Sequence, residues 1–274
     1  MKIKQTLAII ALCSLALPLF AAEDKFSQEY LQSKNHFSLT KPIVESAVEK
    51  GIKKALKKET GAKFDVDFGG YTTASIKKGI FKHIELSADD VTVNDLTIPY
   101  LHLKSISDYN YIDYTQDPIE FKSDMEFAYD MILDEDVINK ALKDDRYLNV
   151  IGMINKLAYP ILSANSVKTK FEKNRMFIDI AYNLPVISLR EKTCTISCDF
   201  TAENGVIKAK HVRIEKMKAN ISLDKIANMV NLLNPLDFTM TLLDTKDIKG
   251  NVENVNIVDN KVKINGKIFI KGDQ

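Results

Sequence analysis

The chain has 274 residues, 45% of them apolar and 27% charged, with 38 Lys+Arg against 37 Asp+Glu. That is the profile of a folded protein of one or two domains, and a net charge of +1 leaves no surplus of Lys and Arg to release counterions from nucleic acid. Ten Gly, seven Pro, no Trp and three Cys give no support to a collagen-like, low-complexity or disulfide-framework reading.

Met1-Lys2-Ile3-Lys4 sets two positive charges ahead of an uncharged stretch over residues 5–20, followed by Ala21-Ala22 and then Glu23-Asp24-Lys25. This order of charged, apolar and small residues predicts a secretory signal peptide cleaved near Ala22. The apolar stretch is shorter than the roughly 20 residues a membrane span needs, and Pro18 interrupts it near its end; an uncleaved anchor is the alternative. Cys13 follows Leu12, and apolar residues continue after it, so lipidation there is rejected. The expected mature protein, residues 23–274, is periplasmic or otherwise exported. Its charge is unevenly spread: residues 41–58 carry six Lys against Glu45 and Glu49, a net of +4, and residues 108–136 carry ten acids against Lys122, a net of −9.

Over residues 40–60, Val44, Val48, Ile52, Ala55 and Leu56 recur at intervals of three and four, which predicts an amphipathic helix about 30 Å long. Thr40 is its expected cap, Pro42 lies in its first turn and Gly61 follows its last. The period then switches to two in Phe64-Asp65-Val66-Asp67-Phe68, the signature of a strand. Strands are predicted next over 80–93, 96–106 with Pro99 marking an edge or bulge, and 121–131. In the last of these Phe121, Met125, Phe127, Tyr129 and Met131 alternate with Lys122, Asp124, Glu126 and Asp130.

Helical spacing returns over 134–143, opened by Asp134, and over 146–158, with Leu148, Ile151, Ile154 and Leu157 as its stripe. Further strands are predicted at 167–172, 176–184, 193–202, 206–218, 249–258 and 261–270. Lys173-Asn174-Arg175, Asn204-Gly205 and Asp259-Asn260 are the expected turns, and a capped helix is expected at 222–233. Strands outnumber helices without alternating with them, so the expected class is α+β with a mostly antiparallel sheet, in one domain.

No G-x-S-x-G elbow, S-x-x-K, Walker loop, G-x-G-x-x-G or H-E-x-x-H occurs. His36, His83, His102 and His211 are scattered, and no metal, cofactor or catalytic residue is expected. Cys194 and Cys198 share the apolar face of a strand; about 13 Å apart if extended, they are read as free buried thiols, with a strained bridge across a bulge as the alternative. Residues 108–114, rich in Asp and Tyr, lack the Gly and twelfth-position Glu of a calcium loop.

The run Asp65-Val66-Asp67-Phe68-Gly69-Gly70, continuing to Gly79-Ile80-Phe81-Lys82-His83-Ile84-Glu85-Leu86-Ser87-Ala88-Asp89-Asp90-Val91-Thr92-Val93, resembles the LmeA-like family of exported bacterial phospholipid-binding proteins. So do the acidic helix start Leu133-Asp134-Glu135-Asp136-Val137-Ile138-Asn139-Lys140-Ala141-Leu142 and the hairpin Asn256-Ile257-Val258-Asp259-Asn260-Lys261-Val262-Lys263-Ile264-Asn265-Gly266. The resemblance implies a tubular lipid-binding-like fold, in which a long N-terminal helix packs in a strongly curved antiparallel sheet and acyl chains enter between them.

The expected function is a non-catalytic envelope protein that binds phospholipid or another acyl lipid, as carrier or sensor. Its expected groove residues are Val48, Ile52, Phe68, Ile84, Leu86, Phe127 and Tyr129. Lys50, Lys53, Lys54, Lys57 and Lys58 are the candidates for contact with anionic head groups or an anionic membrane surface. The alternative is an envelope interaction module with a filled core, whose sheet edges and acidic strand face bind a protein partner.

Overall fold

The computed structural model describes residues 26–33, 39–113, 120–158, 163–184, 188–216, 231, 233–243 and 248–272. The signal peptide expected at residues 1–22 and the helix expected at 222–233 fall outside them, apart from residues 231 and 233.

Helix α1 is Gln28–Ser33 and α2 is Lys41–Thr60, followed by β1 (Asp65–Gly69), α3 (Thr73–Lys77), β2 (Ile80–Phe81), β3 (His83–Val93) and β4 (Leu96–Ser105). Next come β5 (Asn110–Asp113), β6 (Glu120–Phe121), β7 (Met125–Leu133), α4 (Glu135–Ala141), α5 (Asp145–Ala158), β8 (Ser163–Glu172) and β9 (Arg175–Leu184). The chain closes with β10 (Ser188–Glu203), β11 (Val206–Lys216), α6 (Pro235–Leu243), β12 (Ile248–Val258) and β13 (Lys261–Ile270).

The class is α+β, with antiparallel pairing throughout the described ladders. The strands do not form one strongly curved sheet around the first helix. They divide into a six-stranded sheet in the order β1-β3-β4-β7-β13-β12, a four-stranded sheet β11-β10-β9-β8 and a small sheet β2-β5-β6. Two predicted strands are split by this division. The 80–93 stretch contributes β2 and β3 to different sheets, and Phe121 joins the small sheet while the rest of the 121–131 pattern forms β7.

Four hairpins turn on two residues of positive φ: Asn94-Asp95, Lys173-Asn174, Asn204-Gly205 and Asp259-Asn260. Turns of this hand match the twist of the strands they join, and Asn, Asp and Gly tolerate the left-handed region best. Pro99 does not mark an edge, because β4 lies between β3 and β7. Instead Pro99 and the left-handed Asp90 (φ 54) opposite it drop out of the β3–β4 ladder. Ile84, Leu86 and Ala88 are buried before that break and Val91 after it, so the alternation resets and both halves of β3 face the core.

Helix α2 buries Val48, Ile52, Leu56 and Thr60 against β1 and β3. Gly61 ends it in the left-handed conformation (φ 76), with its N–H donating to the Lys57 carbonyl. The expected cap is not made: Thr40 offers no side-chain bond to the helix, and its hydroxyl lies 3.0 Å from that of Thr73. Asp134 does cap α4, accepting from the Val137 N–H. On α5 the buried stripe is Tyr147, Ile151 and Ile154, and Leu148 is exposed.

Three outer strands, β1, β8 and β11, have edge groups bonded by side chains from the helices and the residues beside them. On β1, the Phe68 N–H donates to Glu49 at 3.3 Å and the Gly70 N–H to Glu45 at 2.8 Å. On β8, Asn139 both donates to and accepts from the Thr169 backbone at 2.8 Å, Asn155 does the same for Ala164 at 2.7 Å, and Glu135 accepts from the Phe171 N–H. On β11, Asp237 accepts from Ile207 N–H, Asn231 accepts from Ala209 N–H, and Asn234 donates to the Ile207 carbonyl. Such contacts remove the unpaired amides that invite strand addition.

Candidate functional site

The last turns of α2, the inner face of the six-stranded sheet and α6 line a partly open apolar cavity of about 100 Å³. Its walls are Leu56, Thr60 and Phe64 from the end of α2 and the segment after it, Val91 and Val93 from β3, and Ile98, Leu101 and Leu103 from β4. Tyr129 and Met131 of β7, Ile268 of β13, Gly250 of β12, and Met240 and Leu243 of α6 complete them.

Local sequence chemistry places each wall. The β7 alternation directs Tyr129 and Met131 inward, opposite Leu103 and Leu101 in the ladder. The reset at Asp90 and Pro99 brings Val91 and Ile98, partners in the same ladder, to that side as well. Gly266 faces Tyr129 across the β7–β13 pair; a Cβ there would lie 2.0 Å from the Asn251 carbonyl oxygen and 2.9 Å from the Tyr129 hydroxyl. Helix α6 begins at Pro235 and is capped by Asn234, whose Oδ1 accepts from the Leu236 and Asp237 N–H groups. The Asn94 amide at the β3–β4 turn donates to the Leu242 carbonyl at 2.9 Å, tying α6 over the sheet.

Among the described residues the cavity wall carries no carboxylate, imidazole, amine or thiol. The Thr60 hydroxyl is used locally: it donates to the Leu56 carbonyl at 2.8 Å and accepts from the Ala62 N–H. The chemistry such a wall offers is burial of hydrocarbon.

Of the seven residues expected to line a groove, Tyr129 reaches the cavity. Val48, Ile52, Phe68, Ile84, Leu86 and Phe127 are buried in the packed core instead. Phe68 meets Phe81 with ring centroids 5.4 Å apart. Among the expected head-group lysines, Lys50, Lys54, Lys57 and Lys58 are exposed on α2, and Lys53 lies 3.9 Å from Asp65. Residues missed as lining groups include Met240 and Leu243, because α6 was not expected; Asn234-Pro235 was its legible start signal.

Elsewhere several titratable groups pair with one another. His102 sits between Glu85 at 2.9 Å and Asp130 at 3.4 Å, and Lys104 lies 3.1 Å from Glu85. Hydrogen bonds from His102 and then Lys104 hold the Glu85 carboxyl below its ordinary value. His83 pairs with Asp67, and His211 with Asp199. The acidic face of β7 is compensated in the same way, with Glu126 3.2 Å from Lys267. Cys194 and Cys198 are free and buried, and burial pushes the Cys198 thiol up to about 12. Tyr109 and Tyr111 of the Asp/Tyr-rich segment pack with Leu31, Tyr71 and Ile80. Among the described residues no group of His, Cys, Asp and Glu is placed to hold a metal ion, and no helix is long and apolar enough to cross a membrane.

No family model, curated protein or solved structure matches the chain. The likeness to the LmeA-like family therefore rests on the residue patterns alone.

Proposed function

We propose that the protein is an exported, non-catalytic lipid-binding protein of the cell envelope that takes the end of an acyl chain into the cavity beneath α2 and α6, as carrier or sensor. The observation that carries this reading is the cavity, about 100 Å³ with an almost wholly hydrocarbon wall. An apolar cavity of about 150 Å³ holds a benzene ring, so this one has room for a few terminal carbons. Each buried CH₂ contributes about 0.8 kcal/mol. The volume falls short of the roughly 300 Å³ at which ligand sites usually start, which narrows the ligand from a whole diacyl phospholipid to one chain end with the remainder of the lipid outside. Export is supported by residues 1–22, and the LmeA-like resemblance supports the same function.

The second reading is an interaction module with a filled core, favoured by the close packing of Val48, Ile52, Phe68, Ile84, Leu86 and Phe127. The occupied edges of β1, β8 and β11 and the compensated acids of β7 count against its docking by strand addition or through the acidic face. Native mass spectrometry of the exported protein incubated with single-chain lipids separates the two. A stoichiometric adduct of one acyl lipid is expected; a folded protein that stays free of adduct would overturn the lipid reading.

A further inference from the structure

Helix α2 has two faces with separate roles. Its inner stripe, Val48, Ile52, Leu56 and Thr60, is buried. Its outer stripe runs Ile43, Ala47, Lys50, Lys54 and Lys57, successive positions four, three, four and three apart, which one side of an α-helix presents in a line. All five are exposed, and Lys58 borders the stripe. Just before the helix Leu39 is 81% exposed, and Ile43 in the first turn is 71% exposed. The outer side thus reads as bare aliphatic groups at one end and four lysines along the rest.

The helix has three acids, and the two in its first half are turned away from this stripe. Glu45 and Glu49 accept the N–H groups of Gly70 and Phe68 at the edge of β1, and Glu45 also neutralises Lys41 at 3.6 Å. Glu59 is half-buried and lies about 120° or more around the helix from Lys50 and Lys54. Among the described residues Lys50, Lys54, Lys57 and Lys58 have no ion pair. Using acids to close a sheet edge leaves the outer face with positive charge that no described acid pairs with. The acidic strand β7 is different, since Glu126 and Asp130 on its outer face are met by Lys267 and His102.

From this we infer that the outer face of α2 docks on an anionic lipid bilayer, with Leu39 and Ile43 entering the interface and Lys50, Lys54, Lys57 and Lys58 lying against acidic head groups. A bilayer fits the combination better than an acidic protein does. It accepts aliphatic side chains at the level of the head groups, and its negative surface potential extends over the whole length of a lysine row. The inference deepens the acyl-lipid reading by naming the surface from which the lipid comes: the helix that meets the bilayer with one face forms the cavity wall with Leu56 and Thr60 on the other.

The test is co-sedimentation of the mature chain with phosphatidylcholine vesicles, with and without phosphatidylglycerol. The protein should bind only the anionic vesicles. A lysine near such a surface contributes roughly fivefold, so Lys50→Gln/Lys54→Gln/Lys57→Gln/Lys58→Gln should weaken binding at least about tenfold, and the corresponding four Lys→Arg changes should keep it. Leu39→Gln/Ile43→Gln should also weaken it, by about threefold or more, by removing the inserted groups. These side chains point outward, and circular dichroism should report unchanged helix content. Equal binding to neutral and anionic vesicles, unchanged binding by both sets of variants, or binding to polyglutamate in place of vesicles would overturn the inference. A protein that takes up a single-chain lipid in solution yet ignores anionic vesicles would overturn docking alone and leave the cavity reading standing.

Discussion

Beneath the first half of α2 buried side chains pack on one another, and beneath its last turns a cavity opens, although the same helix and the same sheet wall both regions. Under Val48 and Ile52 the sheet offers Phe68, Ile84, Leu86 and Phe127, and the Phe68 and Phe81 rings close the gap. Past the break at Asp90 and Pro99 the wall is Val91, Val93 and Ile98, with Leu101, Leu103, Tyr129 and Met131 beside them, and the short helix α6 joins the end of α2 as the cover. Aliphatic side chains at the β3–β4 end of the sheet, under a second, separately anchored helix, leave a space that none of the described side chains fills. The difference teaches where hydrocarbon from outside can be accommodated: a packed core resists an added methylene, whereas a void gains contacts from one.

The largest expected effect lies in the filled half. Phe68→Ala should cost about 3–5 kcal/mol in urea unfolding, and the molecules that remain folded should still take up single-chain lipid. A loss below about 1 kcal/mol would mean that this half is not close-packed. In the open half the readout reverses. Leu103→Phe places extra carbons in the cavity, so lipid uptake should fall at least about tenfold while stability stays within about 1 kcal/mol of the parent. A variant that is strongly destabilised with uptake intact would erase the distinction between the halves.

Closure of the β1 edge by α2 gives an intermediate effect. Glu49→Ala leaves the Phe68 N–H to solvent and should cost about 1 kcal/mol, measured against Glu49→Gln, which keeps an acceptor. The smallest effect concerns Glu85, on the outer face of the strand that carries Ile84 and Leu86. Its folded carboxyl is held below the ordinary 4.5 by His102 and Lys104. The stability it contributes is therefore present above that value and is lost as the pH falls through the lower folded one. The stability difference between the parent and Glu85→Gln should shrink on acidification, and acid titration of both proteins by circular dichroism checks it.

Much of the fold was legible because its signals are local. Alternation in 125–131, helical spacing in 44–56 and the pairs Asn204-Gly205 and Asp259-Asn260 each depend on neighbours within a few residues, and β7, α2 and the two hairpins follow them. The division into three sheets was not legible, because whether Ile80-Phe81 pairs with β5 or continues into β3 depends on a partner 30 residues away. The cavity was less legible still. Inward-facing positions can be read from periodicity, but a void is a deficit of volume among side chains of α2, α6 and five strands, and no local pattern records it. Alternation placed Tyr129 and Phe68 on the buried faces of their strands. The lysines of α2 were legible as a run; that Lys50, Lys54, Lys57 and Lys58 lack an ion pair among the described residues became visible only with Glu45 and Glu49 at the β1 edge.

The central claim is that the space beneath the end of α2 accepts an acyl chain and the rest of the core does not, and the methionines report on both. Met131 and Met240 line the cavity, whereas Met125 and Met176 are fully buried outside it. Methyl NMR of the protein labelled at methionine, titrated with a single-chain lipid below its micelle concentration, should shift the Met131 and Met240 signals saturably and leave Met125 and Met176 in place. Unmoved Met131 and Met240 signals, or equal shifts at all four, would contradict the account.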